Sequence, residues 1–148
     1  TSLPLLIKGV LHPADAREAA QRGAAGLIVS NHGGRTLDTA LPSAQALPRI
    51  ADALAALPGA AATLPLLVDG GIRRGTDVLK ACALGARAVL LGRPYVHALA
   101  TCGALGVAHA LRLLRDELEI AMTLCGCSDL ARIDADLVVG AMRTSTPR

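Results

Sequence analysis

Four short apolar runs set the frame of this chain. Each breaks into a polar or glycine-rich cluster, and a helical stretch follows. The runs are Leu5-Leu6-Ile7, Gly26-Leu27-Ile28-Val29, Leu66-Leu67-Val68 and Ala88-Val89-Leu90-Leu91. They are apolar on both faces, as expected for strands of a parallel sheet covered by helices. The stretches between them carry helix punctuation. Pro13 stands at a first-turn position before residues 14–22, and Gly23 follows. Ser43 is a candidate N-cap for residues 43–57, which Pro58-Gly59 stops. Residues 76–84 end at Gly85. Residues 96 to about 124 read as mostly helix, and a shorter segment starts near Ser128.

The order βαβαβαβα means an α/β fold, either a doubly wound open sheet or part of a barrel. The polar clusters decide between these. Lys8, residues 30–35, residues 69–74 and Gly92-Arg93 all sit at the C-terminal ends of the apolar runs. An open sheet binds ligand at one switch point. A barrel builds its site from loops after several strands and holds phosphate after strands 7 and 8. Four consecutive clusters favour the barrel. A (β/α)8 barrel needs eight strands and about 250 residues, and this chain of 148 residues supplies four. The expectation is therefore the C-terminal half of a TIM barrel, strands 5–8. Residues 1–148 would form one unit, with the N-terminal half absent. The start at Thr1 points the same way.

Composition excludes several functions. With 52% hydrophobic residues and a net charge of only +3, disorder is ruled out. One Tyr and no Phe or Trp argue against a binder of single-stranded nucleic acid, which needs aromatic platforms and a dense basic groove. Cys82, Cys102, Cys125 and Cys127 lie in Ala/Leu-rich surroundings with no secretory signal ahead of them. They read as buried, reduced thiols, and Cys125-Gly126-Cys127 lacks the spacing of a redox or zinc motif. The longest uncharged stretch, between Arg93 and Arg112, contains Pro94, Gly103 and Gly106. It reads as a break plus a buried helix rather than a membrane span. His12, His97 and His109 show no metal-ligand spacing and are expected at the surface or in helix packing. Arg17-Glu18 and residues 112–119 read as solvated helix faces.

Three clusters carry chemistry. Asp69-Gly70-Gly71-Ile72-Arg73-Arg74-Gly75 is a glycine-rich strand-to-helix loop, where backbone approaches a ligand closely and a helix start offers free N–H groups. Gly92-Arg93 repeats the glycine-arginine pattern one strand later, so the two loops make a phosphate cradle or, alternatively, tight turns with solvated arginines. Ser30-Asn31-His32-Gly33-Gly34-Arg35 sets an imidazole and a guanidinium three residues apart. That pair suits proton abstraction from a substrate held by its carboxylate. A lone strand-end histidine can also be merely hydrogen-bonded. Lys8 ends an apolar run, so it should face an anion or an electron-rich ligand, or else snorkel to the rim. Asp38 is a candidate brace for this loop.

Leu6-Ile7-Lys8-Gly9-Val10, residues 30–38 (Ser-Asn-His-Gly-Gly-Arg-Thr-Leu-Asp), residues 69–78 (Asp-Gly-Gly-Ile-Arg-Arg-Gly-Thr-Asp-Val) and Leu91-Gly92-Arg93-Pro94 occur together in this order. In this the chain resembles the FMN-dependent α-hydroxy acid dehydrogenases and oxidases, the family of glycolate oxidase, L-lactate dehydrogenase and mandelate dehydrogenase. The resemblance runs to about Gly126. It implies oxidation of a lactate- or glycolate-like L-2-hydroxy acid to a 2-oxo acid with FMN as cofactor. By the same resemblance, Lys8 would lie against the flavin N1/O2 edge and Ser30 would contact the flavin or its ribityl chain. His32 would take the hydroxyl proton, and Arg35 would hold the carboxylate. Asp69, Gly70, Gly71, Ile72, Arg73, Gly92 and Arg93 would hold the ribityl-phosphate end. Electrons would leave C2 as a hydride or through a carbanion.

The chain also departs from the family pattern. The family's N-terminal half brings further flavin contacts, an Asp that orients the histidine, a second substrate Arg and active-site tyrosines, and Tyr95 is not one of these. Ala104-Leu105 replaces a more usual acidic-small pair, a surface change expected to be harmless. The 148 residues alone are expected neither to hold FMN tightly nor to turn over. Two other readings stand beside this one. One is a different phosphate-binding barrel enzyme using Lys8 as a Schiff-base or general-base residue. The other is an inactive truncated product that survives by self-association at its open strand edges. The expected partners are a small 2-hydroxy acid and, in a full-length protein, further copies of itself, with no nucleic acid and no metal. The expected location is the cytoplasm or the cytoplasmic face of the inner membrane.

Overall fold

The computed structural model describes residues 2–139. Four parallel strands lie side by side in chain order: β1 (Leu6–Val10), β2 (Gly26–Val29), β3 (Leu66–Val68) and β4 (Ala88–Val89). Helices α1 (Pro13–Gln21), α2 (Ser43–Ala55) and α3 (Gly75–Ala83) connect them, and α4 (Arg93–Leu124) follows β4. Short 3₁₀ turns occupy His32–Gly34, Gly59–Thr63, Leu130–Arg132 and Ala135–Leu137. The strands thus fall in the expected places. β1 runs past Lys8 instead of ending there, and β4 is shorter than its apolar run, although Leu90 N–H still donates to Val68 O at 2.8 Å. His12 caps α1, its ring nitrogen Nδ1 accepting from Ala14 N–H at 3.2 Å.

Register decides which side chains share a face. Leu27 aligns with Leu66, and Val29 with Val68. These four pack with Leu47, Ile50 and Leu54 into the buried core on the helix side of the sheet. Each large aliphatic side chain so buried contributes about 1.5–3 kcal/mol. The opposite face carries Leu6, Ile28, Leu67 and Ala88, and none of these is fully buried. Both outer strand edges are also unpaired among the described residues. An all-parallel sheet is normally covered on both faces. The layout of one covered face and one open apolar face fits a sector of a barrel.

β1 contains a bulge. Lys8 aligns with Ile28, yet Val10 aligns with Val29, so Gly9 is the extra residue. The bulge reverses the alternation: Lys8 faces the open side, and Val10, two residues on, is buried on the helix side.

Two expectations need correction. The stretch after Arg93 is helical but not buried: Val96, Leu99 and Leu105 are exposed. The described sheet ends at β4, so no strand lies beneath this half of α4. The helix is long and apolar enough by length and composition to cross a membrane, but non-helical backbone at Cys102 and Gly103 interrupts it. Its second half lies on α3, with Leu114 and Leu118 against the core. The cysteines are also not uniformly buried. Cys127 is buried and Cys82 half-buried, but Cys102 and Cys125 are exposed. All four are free thiols. Burial pushes the Cys82 thiol above its ordinary pKa. Less of it is therefore thiolate at any given pH, and Cys82 should alkylate at least about tenfold more slowly than Cys102 or Cys125 at pH 8. Timed iodoacetamide labelling read by peptide mass spectrometry checks this, and equal rates at the three sites would contradict it.

Candidate active site

The open face ends in charge at its C-terminal rim. Two residues beyond Ile28 stands Ser30, and two beyond Leu67 stands Asp69, so both share the face of Lys8. The Lys8 ammonium donates to Ser30 Oγ at 2.8 Å and pairs with Asp69 Oδ2 at 2.7 Å. Three neighbouring strands are thereby tied by one side chain. Of the two openings left by the sequence, Lys8 takes the first: it faces an anion. Ser30 is buried, and its oxygen also accepts from His32 N–H at 3.1 Å. The hydroxyl therefore couples the lysine to the histidine turn.

That turn is tightly specified. Asn31 Oδ1 accepts from Gly33 N–H at 3.1 Å, and Asn31 N–H donates to the buried Ser43 Oγ at 3.2 Å. His32 itself has φ +54°, a left-handed conformation that non-glycine residues adopt rarely and mostly as Asn, Asp or His. Such backbone persists where the surroundings over-determine it. From the start of α4, just after β4, Arg93 Nη2 donates to Gly33 O at 2.6 Å. A lysine within β1 and residues following β2, β3 and β4 thus meet on one rim. His32 and Arg35 are exposed on the turn, and the Arg35 guanidinium has no hydrogen-bond or ion-pair partner among the described residues.

The phosphate cradle differs from expectation in one respect. Three N–H groups around the start of α3 are already occupied: Arg73 and Arg74 donate to Asp77 Oδ2 at 2.9 and 3.0 Å, and Gly75 donates to Glu117 Oε2 at 2.9 Å. A carboxylate from α4 thus sits where an anion at the helix start would sit. Glu117 was hidden in the sequence within a stretch that reads as solvated face. Asn31 was likewise not assigned a role, and Ser43, expected as the N-cap of α2, lies one residue past the actual N-cap Pro42 and turns its Oγ to Asn31 N–H instead. The donors that remain include the Arg73 guanidinium and the N–H groups of Gly70, Gly71, Ile72, Thr76, Gly92 and Arg93, which have no acceptor among the described residues. Ile72 is buried in the core, so only its backbone faces the loop. Two concave volumes, about 460 and 330 Å³, lie along α1 and the β1 edge, and neither includes a rim residue. The rim itself is an open shelf.

The chain belongs to the FMN-dependent dehydrogenase family, whose profile matches residues 1–140. It is 50% identical over 144 residues to an L-lactate oxidase of Roseobacter sp. strain GAI101, covering 97% of this chain and 37% of that protein. It is 56% identical over 136 residues to an L-lactate oxidase of Alicycliphilus denitrificans, covering 92% of this chain and 36% of that one. A crystal structure of mandelate oxidase with (S)-2-phenylpropionate superposes with a TM-score of 0.84 at 48% identity, over 91% of this chain and 39% of the other. The chain therefore spans little more than a third of the length of these relatives.

The family cofactor is FMN, which brings an electron-accepting ring, a hydroxylated ribityl chain and a phosphate. The rim fits these groups. Asp69 Oδ1 is buried and has no hydrogen-bond partner among the described residues, although a buried carboxylate oxygen without a donor is costly. A ribityl hydroxyl is a donor of the right kind. Gly70, with φ +88°, lies so close to the turn that a Cβ there would stand 3.2 Å from Asn31 Oδ1 and 3.3 Å from Ser43 Oγ. No side chain fills the shelf at that point.

Proposed function

We propose that this chain supplies the base, the carboxylate anchor and a cofactor rim of an enzyme that oxidises a small L-2-hydroxy acid to a 2-oxo acid. The observation that carries this is the Lys8–Ser30–Asp69 bridge with its orphaned carboxylate oxygen, tied through Ser30 to the His32 turn. FMN, when bound, supplies the two-electron acceptor. Lys8 places a positive charge beside the accepting ring and has a third proton to donate. Asp69, Arg73 and the backbone of residues 70–72 and 92–93 hold the ribityl-phosphate end. Arg93 shares its guanidinium between that end and the Gly33 carbonyl. Arg35 binds the substrate carboxylate as a fork. The imidazole of His32 would take the proton of the C2 hydroxyl as C2 gives up its hydrogen together with both electrons of that bond, which leaves a 2-oxo acid.

The ion pair weakens the reading of Lys8 as a Schiff-base nucleophile, because its nitrogen is already engaged by Asp69 Oδ2 at 2.7 Å and Ser30 Oγ at 2.8 Å. The oxidases among the relatives support oxygen as the terminal acceptor. The test is complementation: this chain is co-expressed with the part of the Alicycliphilus denitrificans L-lactate oxidase that it does not match. The expected product is a yellow complex that is bleached anaerobically by L-lactate and forms hydrogen peroxide in air. A complex that assembles but neither retains FMN nor responds to any small 2-hydroxy acid would overturn the reading.

A further inference from the structure

The bulge in β1 does more than turn Val10 into the core. Gly9, its extra residue, has φ +99°, and the place where its Cβ would stand is crowded by a neighbouring side chain. A Cβ there would lie 3.0 Å from His32 Cε1 and 3.7 Å from His32 Nδ1. Few real Cβ atoms make contacts that short. The imidazole therefore rests edge-on against bare backbone, and it does so from a residue that itself holds a left-handed φ of +54°.

We propose that Gly9 is a positioning residue for His32: the side chain that Gly9 lacks is the seat of the imidazole. This rests on the reading of His32 as the base. One bulge then serves two ends, turning Val10 into the core while Lys8 stays on the open face, and clearing the space in which the His32 ring stops. The other contacts named above hold the backbone of the turn: Ser30 Oγ on His32 N–H, Asn31 Oδ1 on Gly33 N–H and Arg93 on Gly33 O. None of them touches the ring. Gly9 does, so ring placement passes to β1. A displacement of a few tenths of an ångström is enough to matter for a proton-transfer group that must meet its partner at hydrogen-bond distance.

The test uses the full chain and needs no bound cofactor. In the unaltered protein, a nuclear Overhauser contact between a Gly9 Hα and His32 Hε1 is expected. Gly9→Ala is expected to move the His32 ring resonances while those of His12, His97 and His109 stay in place. In a double-mutant cycle on folding stability, Gly9→Ala should lower the folding equilibrium constant by a factor at least about fivefold larger with His32 present than in the His32→Ala background. The strain at positive φ is common to both backgrounds and cancels. Absence of the Overhauser contact overturns the proposal, as do additive stabilities with unmoved His32 signals. Should Gly9→Ala not fold, the Overhauser contact decides alone. A coupled, seated ring in a protein whose turnover does not need His32 would leave the seat standing and remove the base.

Discussion

Replacing His32 with asparagine is expected to lower kcat for 2-hydroxy acid oxidation about a thousandfold in the complemented enzyme. A positioned general base contributes about 10²–10⁴ in rate, so a loss near the middle is about 4 kcal/mol of barrier. Asparagine is the informative choice because of the backbone. At φ +54°, most side chains would add strain of their own, whereas Asn tolerates the left-handed region. The His32 N–H bond to Ser30 Oγ is a main-chain donor and survives the exchange. The Lys8–Ser30–Asp69 bridge should therefore stand, and FMN affinity should stay within about threefold. Steady-state oxidation and fluorescence titration of FMN on the same preparations separate the two effects. A kcat within tenfold of the unaltered enzyme would remove His32 from the proton transfer. A parallel collapse of FMN binding would make its role structural.

The sequence made the strands legible because all four obey one rule: apolar on both faces, then a polar break. It made the rim legible because unusual residues at strand ends have few structural uses. It could not reveal the parity of β1. Alternation alone puts Lys8 and Val10 on the same face, and only the bulge at Gly9 separates them. The Gly9-Val10 pair after a functional lysine was a signal, since an isolated glycine within a strand marks a bulge or a close approach. The expectation for the residues after Arg93 failed for a different reason. Hydropathy reports what a surface would prefer to touch, and Val96 and Leu99 remain exposed among the described residues. The same limit applies to Glu117. Its spacing with neighbouring charges looks like solvated helix, as for Arg112–Asp116 and Arg115–Glu119, which are exposed i,i+4 pairs. Only the tertiary approach of α4 to α3 turns it toward Gly75.

That approach yields the largest expected effect on stability, at Gly75. Helix propensity alone favours Gly75→Ala by up to about 1 kcal/mol, because alanine is the better helix former. Gly75 does not occupy the left-handed region, so conformational preference gives no reason against the exchange. Sterics reverse the sign. A Cβ at Gly75 would collide with the backbone N of Leu118 and the carbonyl carbon of Glu117, and it would stand 2.7 Å from Glu117 Cβ. Two of these are main-chain atoms within α4, so no rotamer change relieves the overlap. The helix must back away, and in doing so it stretches the 2.9 Å bond from Gly75 N–H to Glu117 Oε2 and lifts Leu114 and Leu118 from the core. Overpacking against rigid neighbours costs about 3 kcal/mol at the upper end of its usual range, well above the propensity gain. For a domain of this size that corresponds to a fall in Tm of about 10 °C. Glu117→Gln keeps the volume and an acceptor but removes the charge, and should cost only about 1 kcal/mol. Thermal melts of the two variants, followed by circular dichroism, should therefore separate clearly. A Gly75→Ala protein that melts with or above the unaltered chain would mean that α3 and α4 do not meet at this glycine. The seal that Glu117 places over the start of α3 would then be gone as well, and the Gly75 N–H would be free for a phosphate.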